Sequence, residues 1–142
     1  MDLIGVVTQS TSIARAKAGQ RDFYIAMRIV DSSKKDGIVI RMFRPFESAL
    51  PKVSAGDVII LRSFKIQSQK HRPMGVSNEN SAWAVWHDFG TTKAESVGPP
   101  LEYGEEEEQY VEAIGRWYKG LEEDERHAME GKLMDDLLAG VE

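Results

Sequence analysis

The sequence contains no cysteine among its 142 residues. This absence excludes a disulfide framework, a zinc site built from thiolates and a cysteine nucleophile. Only three histidines are present, His71, His87 and His127, and their scattered positions lack the spacing of metal ligands. No stretch approaches the ~20 consecutive apolar residues that cross a bilayer, so the sequence predicts no membrane partner.

The sequence also lacks the motifs that carry common enzyme chemistry. It has neither a glycine-rich phosphate loop nor a nucleophile motif. The acidic run Glu105–Glu108 is a candidate cation ligand, but the start of a helix explains it better, because the helix dipole favours negative charge there. We therefore expect a protein that is not an enzyme and that uses no cofactor and no metal.

Charge is divided unevenly along the chain. Residues 1–93 contain 14 Lys and Arg against 8 Asp and Glu, a balance of +6, whereas residues 94–142 contain 4 against 15, a balance of −11. A basic segment of this kind is suited to a polyanionic partner, and the acidic segment would repel one. The chain therefore carries two different kinds of surface.

Two alternating stretches give the clearest structural signal. In Phe23–Val30 and again in Ile38–Phe43, large apolar residues recur at every second position, which is typical of strands with one buried face. The polar turn between them predicts a β-hairpin. Further strands are predicted at residues 3–8, at 58–67, and at 74–76 with 81–85, and a short helical turn is predicted at 47–50.

Five strands, with a short helical turn between the third and the fourth, are the order of the OB-fold, a partly open Greek-key barrel. We predict a mainly β protein with an OB-fold domain at residues 1–93, a linker at 94–104 and an acidic helical extension at 105–142 that packs on the barrel. In the extension, apolar residues recur at helical spacing: Tyr110, Ile114, Trp117, Tyr118 and Leu121 in a first helix, then Met129, Leu133 and Leu137 in a second.

The hairpin segment DFYIAMRIVDSSKKDGIVIRMFRP, Asp22–Pro45, resembles the second and third strands of a known domain. This is the telomeric single-stranded-DNA-binding OB domain of the protection-of-telomeres and fungal telomere-capping proteins. The stretches AGDVIILRSFKIQS at Ala55–Ser68 and SAWAVW at Ser81–Trp86 extend the resemblance over most of the barrel. It implies binding of G-rich telomeric single strands in chromosome-end protection, a location in the nucleus at chromosome ends, and other telomere-complex proteins as further partners.

The binding face of an OB-fold is the outer surface of its second and third strands, flanked by the first-to-second and fourth-to-fifth strand loops. Single-stranded DNA needs aromatic rings that stack on bases and cations that follow the phosphates. From the hairpin we assign Tyr24, Arg28, Arg41 and Phe43 to this face, with the core as the alternative for Phe43. From the two loops we assign Arg15, Lys17 and Arg21, and Lys70, His71 and Arg72. The family phrase K-I-Q implies Lys65 and Gln67 as well.

Two tryptophans near the end of the barrel, Trp83 and Trp86, differ in strand parity and should point to opposite faces. We expect both to be packed rather than to stack on DNA. A second hypothesis for the whole chain is an OB-fold that serves as a protein-interaction or dimerisation module in a telomere or DNA-repair complex. The overall acidity, pI ≈ 5.3, favours it. An open, positive hairpin face indicates DNA, whereas a face covered by the acidic helices indicates another role.

Overall fold

Strands dominate the first two thirds of the protein, and two helices follow them. The computed structural model describes residues 2–15, 22–33, 37–69, 72–91, 93–97 and 102–130. The strands are β1 (Leu3–Ser10), β2 (Ala14–Arg15), β3 (Phe23–Val30), β4 (Ile38–Arg44), β5 (Val58–Arg62), β6 (Lys65–Gln69), β7 (Arg72–Val76), β8 (Ala82–Trp86) and β9 (Glu95–Val97). A 3-10 turn spans Glu47–Ala49, and the helices are α1 (Glu105–Lys119) and α2 (Glu123–Glu130).

The strands form one sheet in the order β6-β7-β4-β3-β1-β5-β8-β9, with β2 paired to β3. All pairs are antiparallel except β4 with β7, which is parallel. Strands β6 and β7 lie at one end of this order, whereas β5 and β8 lie near the other end. In the chain, however, β6 follows β5 and β7 precedes β8. These two connections hold the ends of the sheet together, and the sheet coils into a barrel. The five predicted strands are therefore present, with the fourth divided into β5 and β6 and the fifth into β7 and β8.

The division of the predicted fourth strand is a correction, because the sequence indicated a continuous strand at 58–67. Ser63 has φ 61°, in the left-handed region, which interrupts a strand. Its N–H donates to Asp2 Oδ1 at 3.0 Å, and its carbonyl accepts from Asn78 Nδ2 at 2.7 Å and from Ser81 Oγ at 2.9 Å. Tertiary hydrogen bonds thus hold a bend that the local sequence does not signal.

The apolar side chains form two cores on opposite faces of the sheet. The first fills the barrel and includes Ile25, Met27 and Trp83. The second lies between the outer face of β1, β5 and β8 and the helices, and it includes Trp86. Phe64 packs against Trp83 with ring centroids 6.1 Å apart, and Tyr103 packs edge-on against Trp86 at 5.1 Å. Both tryptophans are packed on opposite faces, as predicted.

Helix α1 presents a slightly different stripe from the predicted one. Its buried residues are Val111, Ile114, Gly115 and Tyr118, whereas Tyr110 is 44% exposed. The difference follows from Gly115, because a Cβ there would lie 1.9 Å from the carbonyl oxygen of Phe89. A glycine contributes nothing to a hydrophobic pattern, yet this one allows the helix to lie directly on the backbone of the barrel.

The predicted linker at 94–104 contains a strand, β9, which pairs with β8. His87 links β9 to the barrel through hydrogen bonds. Its Nδ1 lies 2.8 Å from Asp57 Oδ2, and its Nε2 lies 3.1 Å from Oε2 of Glu95, the first residue of β9. The sheet therefore continues past the predicted boundary at residue 93. In the extension, Met129 of α2 joins the second core, while Leu133 and Leu137 lie outside the described residues.

Candidate nucleic-acid interface

The β3–β4 hairpin has the two faces that its sequence predicts. Antiparallel pairing sets Ile25 opposite Met42 and Met27 opposite Ile40, and all four side chains are buried in the barrel core. Because neighbours along a strand point to opposite faces, the intervening residues of the hairpin point away from that core. The predicted assignment of these four apolar residues to the barrel core is confirmed.

Tyr24 and Phe43 form an aromatic pair on the outer face. They lie opposite each other in the hairpin register, and their rings stack with centroids 5.9 Å apart and an interplanar angle of 29°. Both side chains are partly exposed. Phe43 is also fixed through its backbone, since its N–H donates to Ser77 Oγ at 2.8 Å. Phe43 therefore lies on the outer face rather than in the core, its alternative placement.

The pairing of β6, β7, β4 and β3 extends this face sideways. Residues directly opposite each other on paired strands share a face, so the register defines rows that cross the sheet. One row runs Lys65, Val76, Arg41, Ala26, and the next runs Gln67, Met74, Val39, Arg28. With strands about 4.8 Å apart, each row spans about 14 Å.

These rows bring residues from distant parts of the sequence to one surface. Lys65 and Gln67, both exposed, lie on the same face as Arg41, which is partly exposed, and as the Tyr24–Phe43 pair. Arg41 and Phe43 share a face because they are two residues apart on β4, and side chains at every second position of a strand point the same way. We call these five side chains the outer hairpin face: Tyr24, Arg41, Phe43, Lys65 and Gln67.

Arg28 departs from its predicted exposure. It has the predicted parity, but only 6% of it is exposed. Gln9 pairs with Arg28 next to a register shift in β1, and Thr8 Oγ1 donates to the Arg28 carbonyl at 3.4 Å. Two residues further along the same face, Val30 belongs to the second core. The outer face of β3 thus becomes interior toward this end, and Arg28 is a buried residue rather than an exposed cation.

Arg15 occupies the other side of the hairpin from the aromatic pair. Strand β2 sets Arg15 opposite Phe23 and Ala14 opposite Tyr24, so Arg15 shares the face of Phe23. Its guanidinium carbon lies 5.0 Å from the centre of the Phe23 ring, and the residue is exposed. The remaining loop predictions stay predictions: Lys17, Arg21, Lys70 and His71 lie outside the described residues, and Arg72 is described only as the first residue of β7, opposite Gln69.

Arg44 is a structural residue that the sequence did not single out. Its guanidinium donates to the carbonyls of Phe43 at 2.8 Å, Asn78 at 3.1 Å and Ser81 at 2.7 Å. It also lies 4.6 Å from the centre of the Trp83 ring. Burial lowers the pKa of Arg44, and the charge of Asp22 offsets this only in part. The side chain ties the end of β4 to the bend before β8; the only sequence signal is its inward parity next to Phe43.

The helices lie on another part of the barrel. Their contacts are mainly with β1 and β5, where Val6, Val58 and Ile60 meet Val111 and Tyr118 in the second core. Within the described ranges, no group of His, Asp and Glu side chains is arranged to hold a metal ion. Neither helix, over its described length, is long and apolar enough to span a bilayer.

A protein-family model described as telomeric single stranded DNA binding POT1/CDC13 matches residues 1–127. The chain belongs to this family. It is a family of DNA-binding proteins, not one of enzymes. The fission yeast Schizosaccharomyces pombe has a curated relative, Protection of telomeres protein 1, which is 22% identical over 120 residues. That match covers 78% of this chain and 22% of the relative, so the chain spans about a fifth of that protein's length.

Two solved structures share the fold. The crystal structure of fission yeast Pot1 with ssDNA matches with a TM-score of 0.70 at 21% identity, over 83% of this chain and 42% of that chain. A second Pot1–ssDNA complex matches with a TM-score of 0.70 at 21% identity, over 89% of this chain and 76% of that chain. These matches confirm the predicted OB-fold with C-terminal helices.

Proposed function

We propose that this chain binds telomeric, G-rich single-stranded DNA across its outer hairpin face, as part of chromosome-end protection in the nucleus. The observation that carries the proposal is the register of β6, β7, β4 and β3, which brings two stacked aromatic rings, two cations and an amide to one surface. Membership of the telomeric DNA-binding family supports it.

Each residue type on this face has a role that single-stranded DNA requires. The Tyr24–Phe43 pair offers ring faces to successive bases, since every base has a π-face. Arg41 and Lys65 supply positive charge to phosphates, and binding releases counterions. Gln67 carries both a donor and an acceptor for base edges. The protein performs no chemistry on the DNA; it binds, and other telomere proteins are its further partners.

The two basic clusters predicted from the loops also belong to this proposal. The cluster of Arg15, Lys17 and Arg21 follows β1, and the cluster of Lys70, His71 and Arg72 joins β6 to β7. In this proposal both clusters supply positive charge to the phosphates of a bound strand, and Arg15 does so from the face that it shares with Phe23. Arg28, which is buried, supports β3 from within and does not contact DNA.

Fluorescence anisotropy with a labelled G-rich oligonucleotide at low salt tests the proposal. We expect saturable binding that weakens as salt increases, and weaker binding of the same sequence in a duplex. Lys65→Ala should lower the affinity, whereas Lys93→Ala, the same loss of charge at an exposed site beside α1, should not. Absence of saturable binding at low salt would overturn the proposal. A stable dimer indifferent to oligonucleotide would favour the protein-interaction hypothesis instead.

A further inference from the structure

Phe46 is the most exposed large apolar side chain of the described chain, with 70% of its surface accessible. The next two, Ile66 and Tyr110, are 47% and 44% exposed. A single exposed apolar residue needs no explanation by itself. Phe46 calls for an explanation because its backbone is fixed in a turn and because two other aromatic residues, Phe43 and Tyr24, lie at the same end of the hairpin.

The backbone around Phe46 is fixed on both sides. Pro45 precedes it and restricts the chain at that point. Phe46 itself is extended, with φ −120° and ψ 137°, and begins the 3-10 turn, its carbonyl accepting from Ala49 N at 3.1 Å. Leu50, which is 4% exposed, anchors the far end of the turn in the barrel core. The ring is therefore presented to solvent by a rigid turn.

Phe46 lies at the aromatic end of the outer hairpin face. It follows Phe43 by three residues, so the two Cα atoms are at most about 11 Å apart. The intervening Arg44 is committed to the carbonyls of Asn78 and Ser81 and to the Trp83 ring, so it fixes the start of this segment. Tyr24, opposite Phe43, belongs to the same end of the hairpin. Three aromatic rings thus occur together where β4 ends.

We propose that Phe46 is a base-stacking residue that extends the DNA-binding surface beyond the end of β4. The inference rests on the proposed function, and it adds a contact outside the sheet to those on the outer hairpin face. Aromatic faces are the sequence-tolerant element of single-strand recognition, and a side chain carried on a backbone turn that is already formed in the free protein requires less ordering of the chain on binding. In this proposal, a strand that runs from the Tyr24–Phe43 pair past the end of β4 meets Phe46 next.

The test is a length series of G-rich single strands, shortened one nucleotide at a time from each end. Anisotropy titrations compare the wild type with Phe46→Ala and with Phe46→Trp, which keeps an aromatic ring. Tyr110→Ala, which removes another exposed ring on α1, is the matched control. Circular dichroism verifies that each variant is folded. We expect Phe46→Ala to lose on the order of tenfold in affinity for long strands, and Phe46→Trp and Tyr110→Ala to bind like the wild type.

The length dependence separates a direct contact from a general effect. For strands too short to reach past β4, Phe46→Ala should bind like the wild type, and the loss should appear only when the added nucleotide arrives at Phe46. Equal affinities of Phe46→Ala and the wild type at every length would overturn this inference while leaving the proposed function intact. So would a change in self-association alone, since it would make Phe46 a protein contact. A wild type that binds no single strand would overturn both proposals.

Discussion

The rings of Tyr24 and Phe43 stack on each other across the β3–β4 pair, with centroids 5.9 Å apart and planes inclined by 29°. Aromatic pairs of this geometry stabilise a sheet by about 0.5–1.5 kcal/mol beyond the area they bury. Both rings are only partly buried, so the pair presents π-surface to solvent as well as to itself. A base can therefore continue the stack.

Replacing either ring should weaken DNA binding. We expect Tyr24→Ala and Phe43→Ala each to lower the affinity for a G-rich single strand on the order of tenfold, as base–aromatic stacking does elsewhere. The double variant should lose less than the sum of the two free-energy changes, because each ring supports the other. Titrations of all four proteins measure this. Tyr24→Phe, which keeps the ring, should bind normally; if it binds as weakly as Tyr24→Ala, stacking is not the role of this residue.

The two arginines of the hairpin with outward parity should behave differently. Arg41→Ala should weaken binding and reduce the slope of log affinity against log salt by about 1, since one phosphate contact is lost. Arg28→Ala should instead lower the free energy of unfolding, by about 1–3 kcal/mol, because it removes a buried polar group and its packing. Salt-dependent titrations and denaturant melts measure the two effects. A lower salt slope for Arg28→Ala, with unchanged stability, would contradict the burial of Arg28.

Gly115→Ala should destabilise the protein although alanine is the better helix former. Helix propensity favours alanine by about 1 kcal/mol. Against this, the added Cβ would lie 1.9 Å from Phe89 O and 2.7 Å from Phe89 C, both backbone atoms, so α1 must shift away from the barrel. Overpacking of this kind costs about 1–3 kcal/mol, and we expect a net loss in thermal melts. The control is Ala113→Gly, at an exposed site of the same helix, where only propensity changes.

Arg44→Lys should destabilise the barrel while keeping the charge. The guanidinium donates to three carbonyls and lies over Trp83, and a lysine ammonium cannot reproduce this fork. We expect the free energy of unfolding to fall by about 1–3 kcal/mol, since partly buried carbonyl acceptors lose their hydrogen-bond donor. Urea denaturation measures it. An unchanged denaturation midpoint would show that the bend before β8 does not depend on Arg44.

Stability should depend on pH through His87. Burial lowers the pKa of His87, but its hydrogen bonds to Asp57 and Glu95 outweigh burial and raise it above the ordinary value of 6.5. Because the folded pKa is the higher one, the stabilisation is fully present below pH 6.5 and is lost as the pH rises through the folded pKa. Melting temperatures should thus separate the wild type from His87→Gln more at about pH 6 than at about pH 9. A gap that grows with pH would reverse this assignment.

Much of the fold could be predicted from the sequence because its signals are local. The alternation in Phe23–Val30 assigned Ile25 and Met27 to the core, and both are buried. Pro45 marked the end of β4, and Gly120 marked the end of α1. Each of these rests on the period of a strand or on the backbone limits of a single residue, and neither needs the rest of the chain.

The departures arise where distant segments meet. Ser63 takes its left-handed conformation in a bend held by Asp2, Asn78 and Ser81, and no neighbour in sequence announces it. Tyr110 has helical spacing with Ile114, but Gly115 sets how α1 rotates onto Phe89. Contacts between parts of the chain that are far apart in sequence determine both the bend at Ser63 and the rotation of α1.

The outer hairpin face likewise depends partly on the local sequence and partly on contacts between distant segments. The sequence by itself determined which side of β3 and β4 is apolar, because side chains alternate with a period of two along a strand. It could not determine that Arg28 is buried while Arg41 is partly exposed, since both have the outward parity; the second core, which takes in Val30, decides that. Nor could it place Lys65 in the row of Arg41, because that depends on the parallel register of β7 with β4. Periodicity is a property of one strand, whereas register and coverage are properties of the assembled barrel.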